Sequence, residues 1–405
     1  MKGLTTLLAL PLLFACLTAL GQETEPFRRK TLLRTARTYA KADNYAKVDE
    51  TLAQAFDTYP EALADAELVH MEMEAQQQLF LAESKKLFLN SKPDTTTYFS
   101  RSAATTRYAL RCDSLDQLPD KKGHVKPRYE KEIRERLRQH LPNLLSGGKY
   151  HYKRADYANA YSLFFLWLTV RENHLLASPA LTADSIAVAR LATLSAFSAG
   201  AYADALRYIH IAQQDTATRC QLMEVEARAH QRLNHPDEML DVVSRGHHNY
   251  PSQDYFALAL ITHYDSLSLP SKALAVVERA LNAGGNPKQY AYLSGQIYES
   301  MALLDTAALY YDRALAADSL DADVQSAAGM LALRRAATLR TDTPALLLQQ
   351  AETKKQLNSF YTQAATHLES ARALAPQQPE LWKDGLREVY FRQGRGDDLR
   401  QIDTP

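Results

Sequence analysis

Residues 288–319 read KQYAYLSGQIYESMALLDTAALYYDRALAADS, and part of this stretch recurs along the chain. A small residue, Ala307, is followed by a bulky one, Tyr311, and then by a second small one, Ala314. At the same positions one, two and three periods earlier in the chain, three segments also have a small or slim residue, a bulky one and a small one. They are Ala273, Val277 and Ala280; Met239, Val243 and Gly246; and Ala205, Ile209 and Ala212. A fixed period of about 34 residues indicates a repeat protein whose units stack side by side.

The period predicts two helices in each unit. Small residues such as Gly295 and Ala307 mark the points where two helices cross closely. Tyr298 and Tyr311 are large enough to fill the space between one helix pair and the next. Because neither helix can bury its apolar side alone, each pair needs neighbours. We therefore predict an all-α fold built from stacked helix pairs.

The pattern resembles the tetratricopeptide repeat (TPR), which combines Leu-Gly, Tyr, Ala, an aromatic residue, Ala and a terminal Pro at fixed positions. The matching residues here are Gly295, Tyr298, Ala307, Tyr311 and Ala314, with Ser319 where proline is usual. The resemblance implies a right-handed α-solenoid of helix-turn-helix repeats. It also implies a protein-binding scaffold that is not an enzyme and needs no cofactor.

The chain divides into four predicted regions: a signal peptide (1–21), an N-terminal TPR-like unit with a degenerate helical region (22–140), a central TPR array (141–319), and C-terminal TPR-like repeats with a cap (320–405). Within the degenerate region, Asp94 is expected to cap a helix over residues 95–112. A charged helix over residues 126–139 is expected to end near Pro142.

Beyond Asp321 the register of the repeat slips. Gly329 offers the start of another unit, but residues 341–344 interrupt it. The register resumes at Ala364, and the residues from Trp382 onward predict one last helix pair. A terminal unit is expected to be atypical because one of its faces is solvated.

The N-terminus has the features of an export signal. Lys2 precedes an apolar run that is short for a membrane span and contains Pro11, and small residues precede Gln22. The tetrapeptide ending at Cys16, LFAC, also resembles a bacterial lipobox, although Phe14 is bulky for that position. We expect an exported, periplasmic protein, with an outer-membrane lipoprotein anchored at Cys16 as the alternative.

The charge balance argues against nucleic acid as a partner. Lysine plus arginine and aspartate plus glutamate number 47 each, so no global field attracts a polyanion. Residues 121–139 are locally basic. They predict a solvated helix with pairs such as Glu130–Arg134, and the alternative is a patch that binds anions.

No motif for catalysis or metal binding is convincing. The sequence lacks a phosphate-binding loop, GxSxG, HExxH and paired CxxC motifs. We predict no metal at the polar residues near helix ends, namely His235, Asp237, Glu238, His247, His248, Asp318, Asp321 and Asp323. Cys112 and Cys220 lie several units apart, and we expect free buried thiols rather than a disulfide.

In the TPR family the first helix of each pair lines a concave groove. Carried onto this sequence, the groove positions are Arg190, Phe197, Glu224, Arg228, Gln231, Tyr255, Thr262, Tyr292, Gln296 and Glu299. This mixed polar and aromatic set suits a protein or peptide ligand. It lacks the clamp by which some family members hold a C-terminal carboxylate. The leading hypothesis is thus an exported protein-binding scaffold, and the alternative is a lipid-anchored component of an envelope assembly or transport complex.

Overall fold

The computed structural model describes residues 27–89, 91, 93–176, 182–344 and 347–403. Over these ranges the regular structure is entirely helical, which confirms the all-α prediction. The α-helices are α1 (Arg29–Lys41), α2 (Tyr45–Thr58), α3 (Pro60–Leu63), α4 (Ala66–Phe88), α5 (Thr95–Asp116), α6 (Glu130–Tyr152), α7 (Tyr157–Glu172), α8 (Ala183–Ser198), α9 (Tyr202–Arg207), α10 (Ile209–Ala212), α11 (Arg219–Arg232), α12 (Pro236–Asn249), α13 (Asp254–Ser266), α14 (Pro270–Asn282), α15 (Pro287–Ser300), α16 (Leu304–Ala317), α17 (Ala322–Asp342), α18 (Ala351–Leu374), α19 (Lys383–Gln393) and α20 (Gly396–Asp403). Short 3₁₀ helices occupy Leu347–Gln349 and Pro379–Leu381.

These residues form two compact units. The first contains the described residues up to Lys149 and a segment that begins at Leu166. The second contains Tyr150–Phe165 and the residues from 182 onward. The predicted signal peptide and Cys16 lie outside the described residues.

The first unit begins with the α1/α2 hairpin and continues with the longer α4/α5 pair. Asp94 caps α5, because its carboxylate accepts hydrogen bonds from the backbone N–H groups of Thr96 (3.0 Å) and Thr97 (3.3 Å). This confirms the predicted cap.

The prediction that a helix ends near Pro142 is wrong, since α6 runs through it from Glu130 to Tyr152. A proline inside a helix costs about 3 kcal/mol because it lacks an N–H and crowds the preceding turn. Leu137, His140 and Leu144 are all fully buried around this position. The burial of Leu137 and Leu144 offsets the cost, at about 1.5–3 kcal/mol for each of these apolar side chains.

In the second unit the period of the repeat appears directly in the backbone. The residue at the turn between the two helices of a pair is left-handed at Gly200 (φ 78°), Asn234 (58°), Ser268 (54°) and Ala302 (58°). Each of these positions follows the previous one by one full period. After each of them, the next N–H donates a hydrogen bond to a carbonyl five residues earlier, at 2.8–2.9 Å. The turns are therefore equivalent in conformation as well as in sequence.

The packing positions recur in the same register. The bulky residues Ile209, Val243, Val277 and Tyr311 are buried, and so are the second small residues Ala212, Gly246, Ala280 and Ala314. At the first small position Ala205, Ala273 and Ala307 are buried, whereas Met239 is half-buried. A Cβ added to Gly295 would lie closer than 3.0 Å to the Tyr311 ring. The predicted close crossing is therefore real.

The last two pairs of the second unit, α17/α18 and α19/α20, depart from the standard length. Helices α17 and α18 have 21 and 24 residues, whereas α15 and α16 have 14 each. Ala364 is buried on α18, and Trp382 and Tyr390 are buried in the last pair. The predicted terminal helix pair is confirmed.

Candidate partner-binding face

The first helices of successive pairs in the second unit are α8, α11, α13, α15, α17 and α19. All ten residues predicted for the groove lie on the first four of these helices, and none is buried. Arg228, Gln231, Thr262 and Gln296 are exposed, and the other six are half-buried. The structure thus places the whole set on the predicted helices, and the role of these residues in binding a ligand stays a prediction.

Three of the ten form a link between α11 and α13. The Glu224 carboxylate lies 2.6 Å from the Arg228 guanidinium, one turn further along α11. The same guanidinium lies over the Tyr255 ring of α13, 4.8 Å from its centroid. Burial raises the pKa of Tyr255, so its hydroxyl stays protonated and can donate a hydrogen bond. This stretch offers a cation, an anion and an aromatic ring.

Glu299 serves mainly to hold neighbouring helices together. One of its oxygens accepts a hydrogen bond from the Tyr311 hydroxyl at 2.9 Å, and the other accepts one from Arg334 at 2.8 Å. The Tyr292 ring lies 5.9 Å from the Tyr311 ring and is half-buried. Both carboxylate oxygens of Glu299 are therefore engaged inside the protein.

The remaining groove residues differ in how firmly they are held. Arg190 donates to Asp215 at 2.8 Å, and the Phe197 ring meets Tyr202 edge-on with centroids 5.4 Å apart. The exposed polar side chains are Gln231, Thr262 and Gln296.

The same face continues beyond the predicted residues, on α17 and α19. A groove of about 410 Å³ is lined by Glu299, Met330, Leu333, Arg334, Ala337, Arg340, Tyr361, Glu388 and Arg392. We name it the C-terminal groove. Met330 is 46% exposed within it, so its side chain offers apolar surface to a partner.

The C-terminal groove combines apolar surface with positive charge. Arg334 is paired with Glu299 at 2.8 Å, and Arg392 with Glu388 at 2.6 Å. Within the described part of the chain, Arg340 has no ion-pair partner, and it is exposed. Three guanidinium groups against two carboxylates give the groove a net positive charge.

Sequence reasoning missed this part of the face, although a signal for it was present. One further step of the same period carries Gln296 to Met330 and Glu299 to Leu333, and it carries Gly295 to Gly329. The slip in register occurs later in the pair, so the first helix still keeps the period. Extending the groove positions through α17 would have identified both residues.

A different group of side chains has the composition of a metal site. The ligand atoms of His70, Glu74 and Glu132 in the first unit lie within 4.8 Å of one another. However, the His70 imidazole lies 2.5 Å from Glu132, and Arg136 donates to both oxygens of Glu74 at 3.0 Å. Both carboxylates are therefore already engaged, and we interpret the group as a hydrogen bond (His70 to Glu132) and an ion pair (Arg136 to Glu74) that join α4 to α6.

The acidic residues considered near the start of α17 serve the fold. Asp321 caps the helix by accepting from the N–H groups of Asp323 and Val324, each at 3.1 Å. Lys288 lies 3.0 Å from Asp318 and 2.8 Å from Asp321. Capping and ion pairing therefore account for this cluster.

Three other predicted features can be placed. Burial lowers the pKa of His247, whose ring nitrogens have no hydrogen-bond partner among the described residues, so this side chain is a neutral core residue. The predicted Glu130–Arg134 pair is confirmed at 2.5 Å. Cys112 and Cys220 are free thiols, and Cys220 is half-buried rather than buried.

These observations define the class of protein. The described residues form an all-α protein of repeated helical hairpins that resemble the tetratricopeptide repeat, with small residues at the crossings, left-handed turns and first helices that each keep an exposed side. Among the described residues, every helix is too short or too polar to cross a bilayer.

Comparison with solved structures returns proteins of this architecture. A TPR repeats protein from Bacteroides fragilis is 15% identical, with 62% of this chain and 98% of that chain covered and a TM-score of 0.30. The C-terminal part of a TPR repeat-containing protein from Cytophaga hutchinsonii is 11% identical, covering 63% and 94%, with a TM-score of 0.44. The MamA protein is 16% identical, covering 44% and 92%, with a TM-score of 0.35. Neither a protein-family model nor a curated protein sequence matches the chain.

Proposed function

We propose that this protein is an exported, non-catalytic scaffold that binds a protein or peptide partner on the first-helix face of its second unit. The C-terminal groove is the observation that carries the proposal. Methionine and arginine are enriched at protein interfaces, and the groove presents the exposed side chains of Met330 and Arg340 together. A half-exposed methionine beside an unpaired guanidinium offers a partner both apolar contact and a charged hydrogen bond.

The proposed partner approaches along α15, α17 and α19. The link of Arg228 to Tyr255 on α11 and α13 extends the same helix face toward the N-terminal side of the unit. A peptide lying along this face would meet alternating charged and aromatic side chains. Because Glu299 is engaged on both oxygens, we assign it to support of Arg334 rather than to direct contact.

A crosslinking experiment tests the face. A photoreactive amino acid is placed at Met330, and at Leu309 as a matched control, because Leu309 is 50% exposed on the second helix α16. The captured partner is identified by mass spectrometry and purified, and its affinity for the intact protein is measured. We expect capture at position 330 and not at 309.

The Arg340→Glu variant should weaken that affinity at least tenfold, equivalent to about 1.4 kcal/mol. Arg313→Glu, an exposed position on α16, serves as the control for charge reversal. Capture at 309 alone, or equal affinity losses for both variants, would move the binding site off this face.

Export and lipidation are tested at the mature N-terminus. The apolar run after Lys2 supports a cleavable signal peptide. Mass spectrometry of protein purified from its native host distinguishes a free Gln22 from an acylated Cys16. The second result would favour the alternative, a lipid-anchored component of an envelope assembly or transport complex.

A further inference from the structure

A recess along α1 in the first unit is lined mainly by cations. Its volume is about 440 Å³, and its lining residues are Arg29, Lys30, Leu33, Arg34, Arg37, Thr38 and Lys41 of α1 and Glu67 of α4. We name it the α1 recess. Five cationic side chains face one carboxylate there, although the chain as a whole carries equal numbers of basic and acidic residues.

Part of this charge is balanced internally. Arg29 is paired with Asp65 and, at 2.8 Å, with Glu67, and Arg37 is paired with Glu67 as well. Lys30, Arg34 and Lys41 are exposed and have no ion-pair partner among the residues that the structure describes. The recess therefore has three cations without a neutralising partner. The pairs formed by Arg29 and Arg37 show that side-chain carboxylates can bind to cations on this side of α1.

The cations form a line rather than converging on one point. Lys30, Arg34, Arg37 and Lys41 follow one another at intervals of four, three and four residues, which places them on one side of the helix. At about 1.5 Å per residue the line is about 16 Å long. A single carboxylate or phosphate group cannot reach all of them, so the complementary ligand must carry several anionic groups in series.

An extended acidic peptide has the required spacing. Side chains on one side of an extended strand recur every second residue, or about every 7 Å. The free cations Lys30, Arg34 and Lys41 lie about 6 and 10.5 Å apart along α1, and long lysine and arginine side chains can absorb the difference from the 7 Å spacing.

We propose that the α1 recess binds an extended acidic segment of a partner protein through aspartate or glutamate side chains at alternate positions. The recognised groups are side-chain carboxylates and not the end of a chain, because the free cations are strung along the helix. This proposal extends the proposed function, but it uses other residues in another unit. The two can therefore fail separately.

The test uses the purified protein and a fluorescent, amidated peptide of about eight residues with aspartate at alternate positions, long enough to exceed the 16 Å line at about 3.3 Å per residue. Fluorescence anisotropy should show saturable binding. Between about 50 and 300 mM NaCl the affinity should fall at least fivefold, because exposed charge pairs are screened.

The double variant Arg34→Glu/Lys41→Glu should lose at least tenfold in affinity. The matched control is Lys121→Glu/Lys122→Glu, which makes the same change in net charge at exposed loop residues of the same unit. Circular dichroism verifies that both variants are folded. The control should stay within twofold of the parent, and so should Arg340→Glu in the C-terminal groove.

Four outcomes would overturn the proposal. They are equal losses in both double variants, unchanged affinity in the recess variant, binding only by a peptide with a free C-terminal carboxylate, and stronger binding of polyphosphate or of anionic phospholipid vesicles than of the acidic peptide. A failure of the Met330 crosslink with intact peptide binding would affect only the C-terminal groove.

Discussion

Replacement of Glu72 by glutamine should stabilise the first unit, and the gain should grow with pH. Glu72 lies on α4 and is fully buried. One oxygen accepts from Gln76 at 2.6 Å, and the other has no hydrogen-bond partner among the described residues. Burial and the neighbouring Asp49 raise its pKa to about 8, so the folded protein holds Glu72 as a neutral acid at pH 7.

The groups that face Glu72 come from three helices. Gln76 bridges it to Asp49 of α2, with an N–O distance of 2.9 Å. Arg101 of α5 donates to Asp49 at 2.7 Å and to Gln76 at 2.8 Å. Burial and the nearby carboxyl groups of Glu72 and Asp49 raise the pKa of Tyr108 on α5 to about 12. Arg101 therefore forms its ion pair with Asp49 and not with Glu72.

The number of protons bound by the folded and unfolded states determines how the stability of the parent protein changes with pH. In the unfolded chain Glu72 ionises near its ordinary pKa of 4.5, whereas in the folded protein it ionises near 8. Below pH 4.5 both states are protonated and no penalty arises. Between these values the folded state holds one more proton, so stability falls by about 1.4 kcal/mol for each pH unit, and above pH 8 the loss is constant.

The Glu72→Gln variant removes this titration while keeping the shape of the neutral acid. We expect its gain in unfolding free energy over the parent to be about 2–4 kcal/mol larger at pH 8 than at pH 5, the upper end being three pH units at about 1.4 kcal/mol each. Urea unfolding followed by circular dichroism at both pH values measures it. Glu61→Gln on exposed α3 is the control.

Hydrogen exchange in α4 would localise the effect. Protection of the amides around Glu72 should rise in the variant at pH 8 and change little at pH 5, after correction for intrinsic exchange. The same gain at both pH values, or a loss of stability at pH 8, would refute a buried neutral carboxyl group at this position.

Three further experiments test the packing of the second unit by urea unfolding. Ala302→Gly should stabilise the protein by about 0.5 kcal/mol, because relief of the left-handed conformation (about 1–2 kcal/mol) exceeds the added entropy of the unfolded chain. Gly200→Ala should destabilise it by a similar amount. A change of the same sign in the unfolding free energy of both variants would contradict this. Gly295→Ala should cost about 1–3 kcal/mol because its Cβ meets the Tyr311 ring, and a second change of Tyr311→Leu should recover part of that loss. The stability of His247→Leu relative to the parent should rise as the pH falls below 6.5. Burial lowers the pKa of His247 in the folded protein, so below pH 6.5 the unfolded parent chain binds a proton there that the folded one does not, and the parent loses stability. A gain that is independent of pH would count against this explanation.

The helix pairs of the second unit were predictable because the features that define them, such as small residues at helix crossings and helix caps, can be read from a few neighbouring residues. A small residue at a close crossing has few substitutes, so Ala273 and Ala307 reveal the period even in one sequence. The cap at Asp94 was equally local, since its carboxylate binds N–H groups two and three residues away. Such signals do not depend on what packs against the helix.

The interior of the first unit was less predictable because much of it is polar. Gln76, Ser102 and Thr106 are buried there with Glu72 and His140. Polar side chains weaken the apolar periodicity on which helix and core prediction relies. They are buried through mutual hydrogen bonds, such as Ser102 to His140 at 2.9 Å, and only the assembled helices show these partners.

The candidate face depends on where glycines allow helices to approach, and helix length matters less. A Cβ at Gly329 or at Gly385 would lie closer than 3.0 Å to Leu368, as one at Gly295 would to Tyr311. Gly295 and Gly329 each meet the second helix of their own pair, whereas Gly385 of α19 meets Leu368 of the preceding pair and lies against Met330. The spacing differs as well, since Gly385 follows Gly329 by much more than one period. The close approach of α19 to α18 beside Met330 therefore depends on a glycine that the period of the sequence does not mark.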